Sequence, residues 1–371
     1  MMRQRAYRRY GSRRKRRNFR AWALLSIVLV LVLTVLGLIL FLPKEEGRFG
    51  SELKRLEAPE NAELIPFSAG AVYIDPESQS LYYLNRNGEA KWGFSGTVSG
   101  MKTAVSSSRM AVYYSSKLQV IGNNGSLIYS KVFDYPIQDL KLSDGVCAFL
   151  QYQGTAKNVV VVSAAGEQLD TLTEQTGQEL LDFGVFGSAG VWQITVDTGS
   201  VKPVYRFFTY RYESNKLITV SYTTSDQMIY YPVFYKDSIS LIGTSDVISI
   251  DYTGKFLRRV RCNGYELARR DTQYTSAVLL MKPVGQARNE TLCIDGDFSS
   301  FVLSEQEPIL ETVLTDRYYY VFTQHHLYTY AVGKMTRKRY TLPETISRVL
   351  PGLEKQVVLI GESGRYLLAL D

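Results

Sequence analysis

The sequence predicts an all-β fold, a β-propeller, behind a single N-terminal transmembrane helix. Three observations lead there. An uncharged apolar run, Ala21 to Leu42, follows a basic tail. From Asn61 onward, short runs of Val, Ile, Leu, Tyr and Phe alternate with turn residues, the signature of strands and hairpins. The hairpins recur with a period of about 40 residues, which marks a propeller rather than a solenoid.

Residues 1–20 hold ten Arg/Lys and no acid. Of the 43 basic and 36 acidic residues in the 371-residue chain, this leaves 33 basic against 36 acidic beyond the tail, a net of −3. The formal charge of +7 therefore belongs to the tail. A nucleic-acid partner, which needs Lys/Arg clustered on a folded face, is not expected. Ala21 to Leu42 is 22 residues long, and at about 1.5 Å per residue it crosses a hydrocarbon core of about 30 Å. It is apolar on every face, unlike a core helix. It is longer than a signal-peptide core, and Phe41-Leu42-Pro43-Lys44 offers no small-residue cleavage site, so an uncleaved anchor is expected. Arg16-Arg17-Asn18-Phe19 matches a twin-arginine signal only loosely. The basic tail places residues 1–20 in the cytoplasm and the C-terminal part outside, with the lipid bilayer contacted through residues 21–42.

Residues 43–60 are polar and read as a stalk, with Phe49 to Leu56 able to supply a ring-closing strand. Residues 61–371 form the extracytoplasmic propeller. An apolar strand, a polar turn ending in Gly or Asn, and a second strand recur around Gly88, Gly125, Gly166, Asn215, Gly254, Asp297 and Gly333. Gly and Asn accept the positive φ of tight hairpin turns. The second unit parses as four strands, Met101–Ser106, Met110–Ser115, Lys117–Gly122 and Ser126–Phe133. The last unit, from Ile346 through Gln356–Gly361 and Arg365–Leu370, lacks its outer strand. The count favours eight blades, with seven as the alternative.

Aligning the innermost strands on their distance to the next strand selects Glu63, Lys102, Lys141, Asp182, Tyr231, Arg270, Glu311 and Arg348, in steps of 39, 39, 41, 49, 39, 41 and 37. Seven of the eight are charged, and they are expected to form a ring of mixed sign at the central channel. Two readings stay open. The charges pair with one another, or Lys102, Lys141, Arg270 and Arg348 hold an anionic or zwitterionic small molecule.

Catalytic motifs are scarce. The sequence has no G-x-S-x-G elbow, no Walker loop and no Cys/His zinc spacing, and no metal or cofactor is expected. The adjacent His325 and His326 suit a hairpin end, and Asp295-Gly296-Asp297 suits a turn better than a calcium loop. Cys147, Cys262 and Cys293 lie in apolar text and are expected as buried thiols, with a Cys262–Cys293 bridge as the alternative. The 27 tyrosines, clustered at Tyr230-Tyr231 and Tyr318-Tyr319-Tyr320, suit half-buried strands.

An Arg-rich tail, one span and blades with x-D/N-x-x-G turns together resemble uncharacterised membrane-anchored propeller proteins of Gram-positive, clostridial-type bacteria. Blades such as Ile250-Asp251-Tyr252-Thr253-Gly254-Lys255 are similar to quinoprotein-like and WD40-like repeats, though of the late Trp of quinoprotein repeats only Trp92 is present. The resemblance carries over no catalytic residue. The expected function is a non-enzymatic, single-span envelope protein whose propeller binds a protein or cell-wall glycan as a scaffold. The alternatives are a glycan hydrolase or lyase using channel carboxylates such as Asp182 and Glu311, and an extracytoplasmic ligand sensor.

Overall fold

The computed structural model describes residues 46–48, 53–75, 77–95, 100–212, 217–268, 279–285, 288–295, 298–334, 336–353 and 355–370. The basic tail, the apolar run 21–42 and the turn residues Asn215 and Asp297 lie outside them. Among the described residues no helix is long and apolar enough to cross a membrane. The chain divides into two compact units, Met1–Gly47 and Arg48–Asp371, with the short strand Glu46–Arg48 at their junction.

The remaining strands form eight antiparallel sheets of four, the blades of a β-propeller. Seven blades are simple meanders, each strand pairing with the next in sequence. The second blade consists of Lys102–Val105, Arg109–Tyr114, Lys117–Gly122 and Leu127–Val132, within two residues of the sequence-predicted bounds. The eighth is composite. Ile346–Pro351, Gln356–Gly361 and Arg365–Ala369 come from the chain end, and Leu53–Arg55 adds the outer strand, pairing Leu53 with Leu368 and Arg55 with Tyr366. Contacts between neighbouring blades run through their first and second strands, which puts the first strands at the inner edge.

The third-to-fourth strand hairpins explain the D/N-x-x-G motif. Asn85 Oδ1 accepts from the amides of Asn87 (2.9 Å) and Glu89 (3.1 Å), and Asp251 Oδ1 accepts from those of Thr253 (2.8 Å) and Lys255 (3.0 Å). Such side chains supply locally the bonds a turn leaves open. Gly88, Gly125, Gly166 and Gly254 stand at φ of +81° to +84°, each donating its amide at 2.9–3.0 Å to the carbonyl three residues before, and a one-residue register shift comes three residues after each.

The core lies between blades rather than within them. Each apolar cluster joins two neighbours. Ala111, Tyr113 and Val120 of blade 2 meet Ile137, Leu140 and Phe149 of blade 3. At the ring seam Leu56, Leu64, Ala71 and Leu84 meet Val358 and Leu367, so blade 1 packs on blade 8. Gln356 Nε2 crosses the same seam to the Gly70 carbonyl at 3.0 Å. Hairpin glycines join in as well. A Cβ on Gly125 would lie 2.7 Å from the Trp92 ring of blade 1, and one on Gly166 would lie 2.7 Å from the Tyr129 ring of blade 2.

This separates two roles of glycine. Gly177 has φ +81° like Gly125, but nothing lies within 4 Å of a Cβ there. Gly177→Ala is expected to cost only backbone strain, about 1–2 kcal/mol. Gly125→Ala is expected to cost about 1–3 kcal/mol more, through overpacking on Trp92. Denaturant midpoints of the two variants check the difference.

Candidate functional site

All eight first strands run in the same direction, so equivalent register positions lie at one level near one face of the disc. Glu63, Lys102, Lys141, Asp182, Tyr231, Glu311 and Arg348 are on first strands, whereas Arg270 lies outside the described residues.

Cross-strand pairing defines which residues are equivalent. Glu63 opposes Ile74, Lys102 opposes Tyr113, Asp182 opposes Ile194, Tyr231 opposes Ile242, Glu311 opposes Phe322 and Arg348 opposes Ile360. In blade 3 the matching partner, Leu150, opposes Asp139 rather than Lys141. In blade 6 the matching partner, Lys282, opposes Glu266. The register of blade 3 is thus two residues from the sequence alignment. From Asp139 to Leu142 the ladder is regular, so Lys141, opposite Ala148, stands two residues nearer the Ser143–Val146 turn than its counterparts; the bulge between Ile137 and Asp139 lies beyond it and recurs in blades 4, 5 and 8.

The corrected level holds Glu63, Lys102, Asp139, Asp182, Tyr231, Glu266, Glu311 and Arg348. Five are carboxylates and two are cations, so the inner level is predominantly acidic instead of evenly mixed. Several are locally engaged. Lys141 pairs with Asp139 at 3.1 Å, Lys282 with Glu266 at 3.0 Å, and Lys102 Nζ donates to the Gln138 carbonyl at 3.1 Å. Asp139, Asp182 and Glu311 each accept from the amide of the next residue, at 2.8, 2.8 and 3.0 Å. The donor role read for Lys141 is therefore directed to its neighbour two residues away.

A second group at this face was not legible from motif searches. Two residues before the buried Ile229, Ile309 and Ile346, where the chain enters blades 5, 7 and 8, stand Gln227, Glu307 and Glu344. Each side chain caps the next hairpin of its blade. Gln227 Oε1 accepts from the Ser245 and Asp246 amides at 3.0 and 2.9 Å. Glu344 Oε2 accepts from the Ser363 amide at 2.8 Å and its hydroxyl at 2.6 Å. Glu307 accepts from Thr323 Oγ1 at 2.7 Å and meets His326 Nδ1 at 2.5 Å. Gly243 and Gly361 leave room, since a Cβ at either would overlap the capping side chain. The signal in the sequence is the recurrence Gln227-Met228-Ile229, Glu307-Pro308-Ile309 and Glu344-Thr345-Ile346.

Glu307 neighbours the most charged cluster of this face. Glu305 has 1% of its side chain exposed, and Tyr330 and Arg337 both donate to it. Burial pushes the Glu305 carboxyl above the ordinary range. At Glu307 burial acts upward too, but bonds from Thr323 and His326 outweigh it and hold the carboxyl low. Carboxylates driven apart in this way are a pattern of acid/base sites. Here the oxygens are occupied by protein donors, and the arrangement ties the blade 6–7 linker to blade 7. His325 lies in a turn and His326 opens a strand. Cys147, Cys262 and Cys293 are free and buried, and burial raises the Cys262 thiol to about 11 and the Cys293 thiol to about 12. Neither is poised as a nucleophile. Among the described residues no group of three or more His, Cys, Asp or Glu could hold a metal ion.

No family profile matches the chain, and no curated protein is significantly similar to it. Among solved structures it is similar to BamB from Moraxella catarrhalis, with a TM-score of 0.53 and 8% identity over 86% of this chain and 98% of that one. Hsv2 of Kluyveromyces lactis, with loop 6CD replaced by a Gly-Ser linker, gives a TM-score of 0.49 at 9% identity over 76% and 98%. The WD40 domain of Neurospora crassa Pan2 gives 0.42 at 8% identity over 72% and 87%. At these identities the likeness to BamB is one of fold alone.

The Glu307 cap has a pH signature. A carboxylate held below its unfolded value of about 4.3 stabilises the fold above that value, and the contribution disappears as pH falls through the folded pKa. Glu307→Gln is expected to lose about 1–2 kcal/mol at pH 7. The gap from wild type is expected to narrow as pH falls below about 4.3 and to close only below the lowered folded pKa. Denaturation at pH 7 and at pH about 3.5 measures both.

Proposed function

We propose that this chain is a single-span envelope protein whose extracytoplasmic propeller is a non-enzymatic binding platform for a protein or cell-wall partner. The observation that carries the reading is the run Ala21 to Leu42, which stands between a tail with ten basic residues and a net-negative propeller. A span of that length with basic residues on one flank orients by the positive-inside rule. A propeller suits the platform role because its blades support one another around a closed ring, leaving loops and rims free to vary. The thiols are buried and the blade 7 carboxylates are bound to protein donors, so neither supplies the reactive group an enzyme would use.

Two measurements test this. A reporter fused after Asp371 is expected to be active outside the cytoplasm and silent inside it; activity inside would end the envelope reading. Cross-linking in intact membranes, followed by capture of the full chain, is expected to return a specific protein or wall fragment. Turnover of wall fragments that disappears on Asp182→Asn would replace the platform with a glycan-active enzyme.

A further inference from the structure

We propose that the outer rim of blades 5 to 8 binds a flexible linear polyanion, a chain polymer bearing phosphate or carboxylate groups. This deepens the platform reading and takes from it the location outside the cytoplasm.

The charge of the propeller is segregated on its rim. The outer strand of blade 5, Phe256–Arg261, reads FLRRVR, and that of blade 8, Leu53–Arg55, reads LKR; the fourth strand of blade 7, Arg337–Thr341, reads RKRYT and has the short strand Glu46–Arg48 paired along its outer side. The outer strand of blade 6, Ser300–Ser304, carries no charge. These four consecutive fourth strands hold eight Lys/Arg and no Asp or Glu, and Glu46–Arg48 adds one residue of each sign. The outer strands of blades 1 to 4, Ala90–Phe94, Leu127–Val132, Gln168–Thr173 and Leu217–Thr224, hold two Lys and one Asp. Yet the chain beyond the tail is net negative, with 33 basic against 36 acidic residues.

Edge strands often carry Lys or Arg to discourage pairing with other sheets. That accounts for a charge on each edge but not for the asymmetry, because blades 1 to 4 manage their edges with far fewer. Several rim arginines are also set in place. Arg259 meets Asp226 at 3.2 Å, Arg55 donates to the Ser363 carbonyl at 3.2 Å, and the Arg337 guanidinium lies over the Tyr328 ring at 4.4 Å. Lys54, Arg261 and Lys338, one on each charged strand, are exposed.

Curvature selects the partner. Outer strands of successive blades lie around a circumference, so the basic arc is convex. A flat bilayer touches such an arc at one or two blades. A flexible chain can follow it and meet all three charged strands, releasing counterions at each contact. Phe256, Leu257 and Val302, exposed by 49%, 44% and 44%, provide apolar ground along the same arc.

The test uses the full chain in detergent micelles, with long-chain polyphosphate and polygalacturonate as labelled probes. To separate the rim from the tail, the ten basic residues of positions 1–20 are replaced by Gln in a parallel protein. That tail-neutral protein is expected to retain polymer binding. Adding Lys54→Gln, Arg261→Gln and Lys338→Gln is expected to weaken binding at least about tenfold at low salt. The log–log salt slope should fall by about 2, at about 0.7 per lost contact. The denaturation midpoint, expected to be unchanged, shows that the fold survives. Binding of either polymer supports the site, and the tighter one identifies its chemistry. Loss of all binding with the tail, or an unaltered affinity and slope in the rim variant, would overturn the proposal. So would rim-dependent binding to anionic vesicles as tight as to the polymers, which would assign the arc to a bilayer. A reporter active inside the cell would remove the envelope reading while leaving rim binding measurable.

Discussion

Everything in this propeller depends on apolar faces that no blade can bury alone. Each four-stranded sheet has two faces, and the clusters run from blade to blade, from Ala111 against Ile137 to Leu64 against Val358. An open row of blades would leave two such faces in water. Closure removes both, and the eighth blade takes its outer strand from the segment that precedes blade 1. Leu53–Arg55 supplies that strand, and Leu56 follows directly into the seam cluster. The hydrophobic effect thus accounts for the composite blade as well as for the ring.

The same demand shapes the smaller devices. Hairpin glycines are fixed by a positive φ, but Gly125 and Gly166 are fixed a second time because the aromatic ring of the preceding blade lies against them. Linker side chains at Gln227, Glu307 and Glu344 cap hairpins of the blade they enter, so three of the crossings between blades are tied down at their ends. Polar and apolar contacts therefore repeat with the blade and reinforce one spacing, a consistency across levels that favours a single folded state.

The fold was largely legible because hairpin turns announce themselves in residues with few conformational alternatives. Asn85, Asp251 and the glycines that follow them mark third-to-fourth strand turns, and the strands of blade 2 fall within two residues of expectation. The inner level was less legible. Counting back from a turn needs the turn placed to the residue, and in blade 3 Lys141 stands two residues too close to the Ser143–Val146 turn, where Asp139 is the equivalent position. Blade 6 hid Glu266 for a related reason, since a longer connection follows its short first strand and carried the count on to Arg270. The linker caps escaped because their meaning is long-range. Gln227 looks like any surface glutamine until the Ser245 turn is known to lie beside it. The shift in register also changes the sense of the inner face, from balanced charge to a majority of carboxylates.

The pairing of Leu53 with Leu368 has a temporal side. A ribosome delivers the first partner more than 300 residues before the second, so blade 8 must wait, lacking its inner three strands, while the other seven emerge. Blades 1 to 7 are local in sequence and can assemble as they emerge, whereas joining the ends closes a loop of more than 300 residues. A chain truncated by one strand at its C-terminus would fold most of the way and then present an unfilled wedge, a form recognisable to proteases. Circular permutation that moved Leu53–Arg55 behind Ala369 would convert this slow final step into an ordinary hairpin.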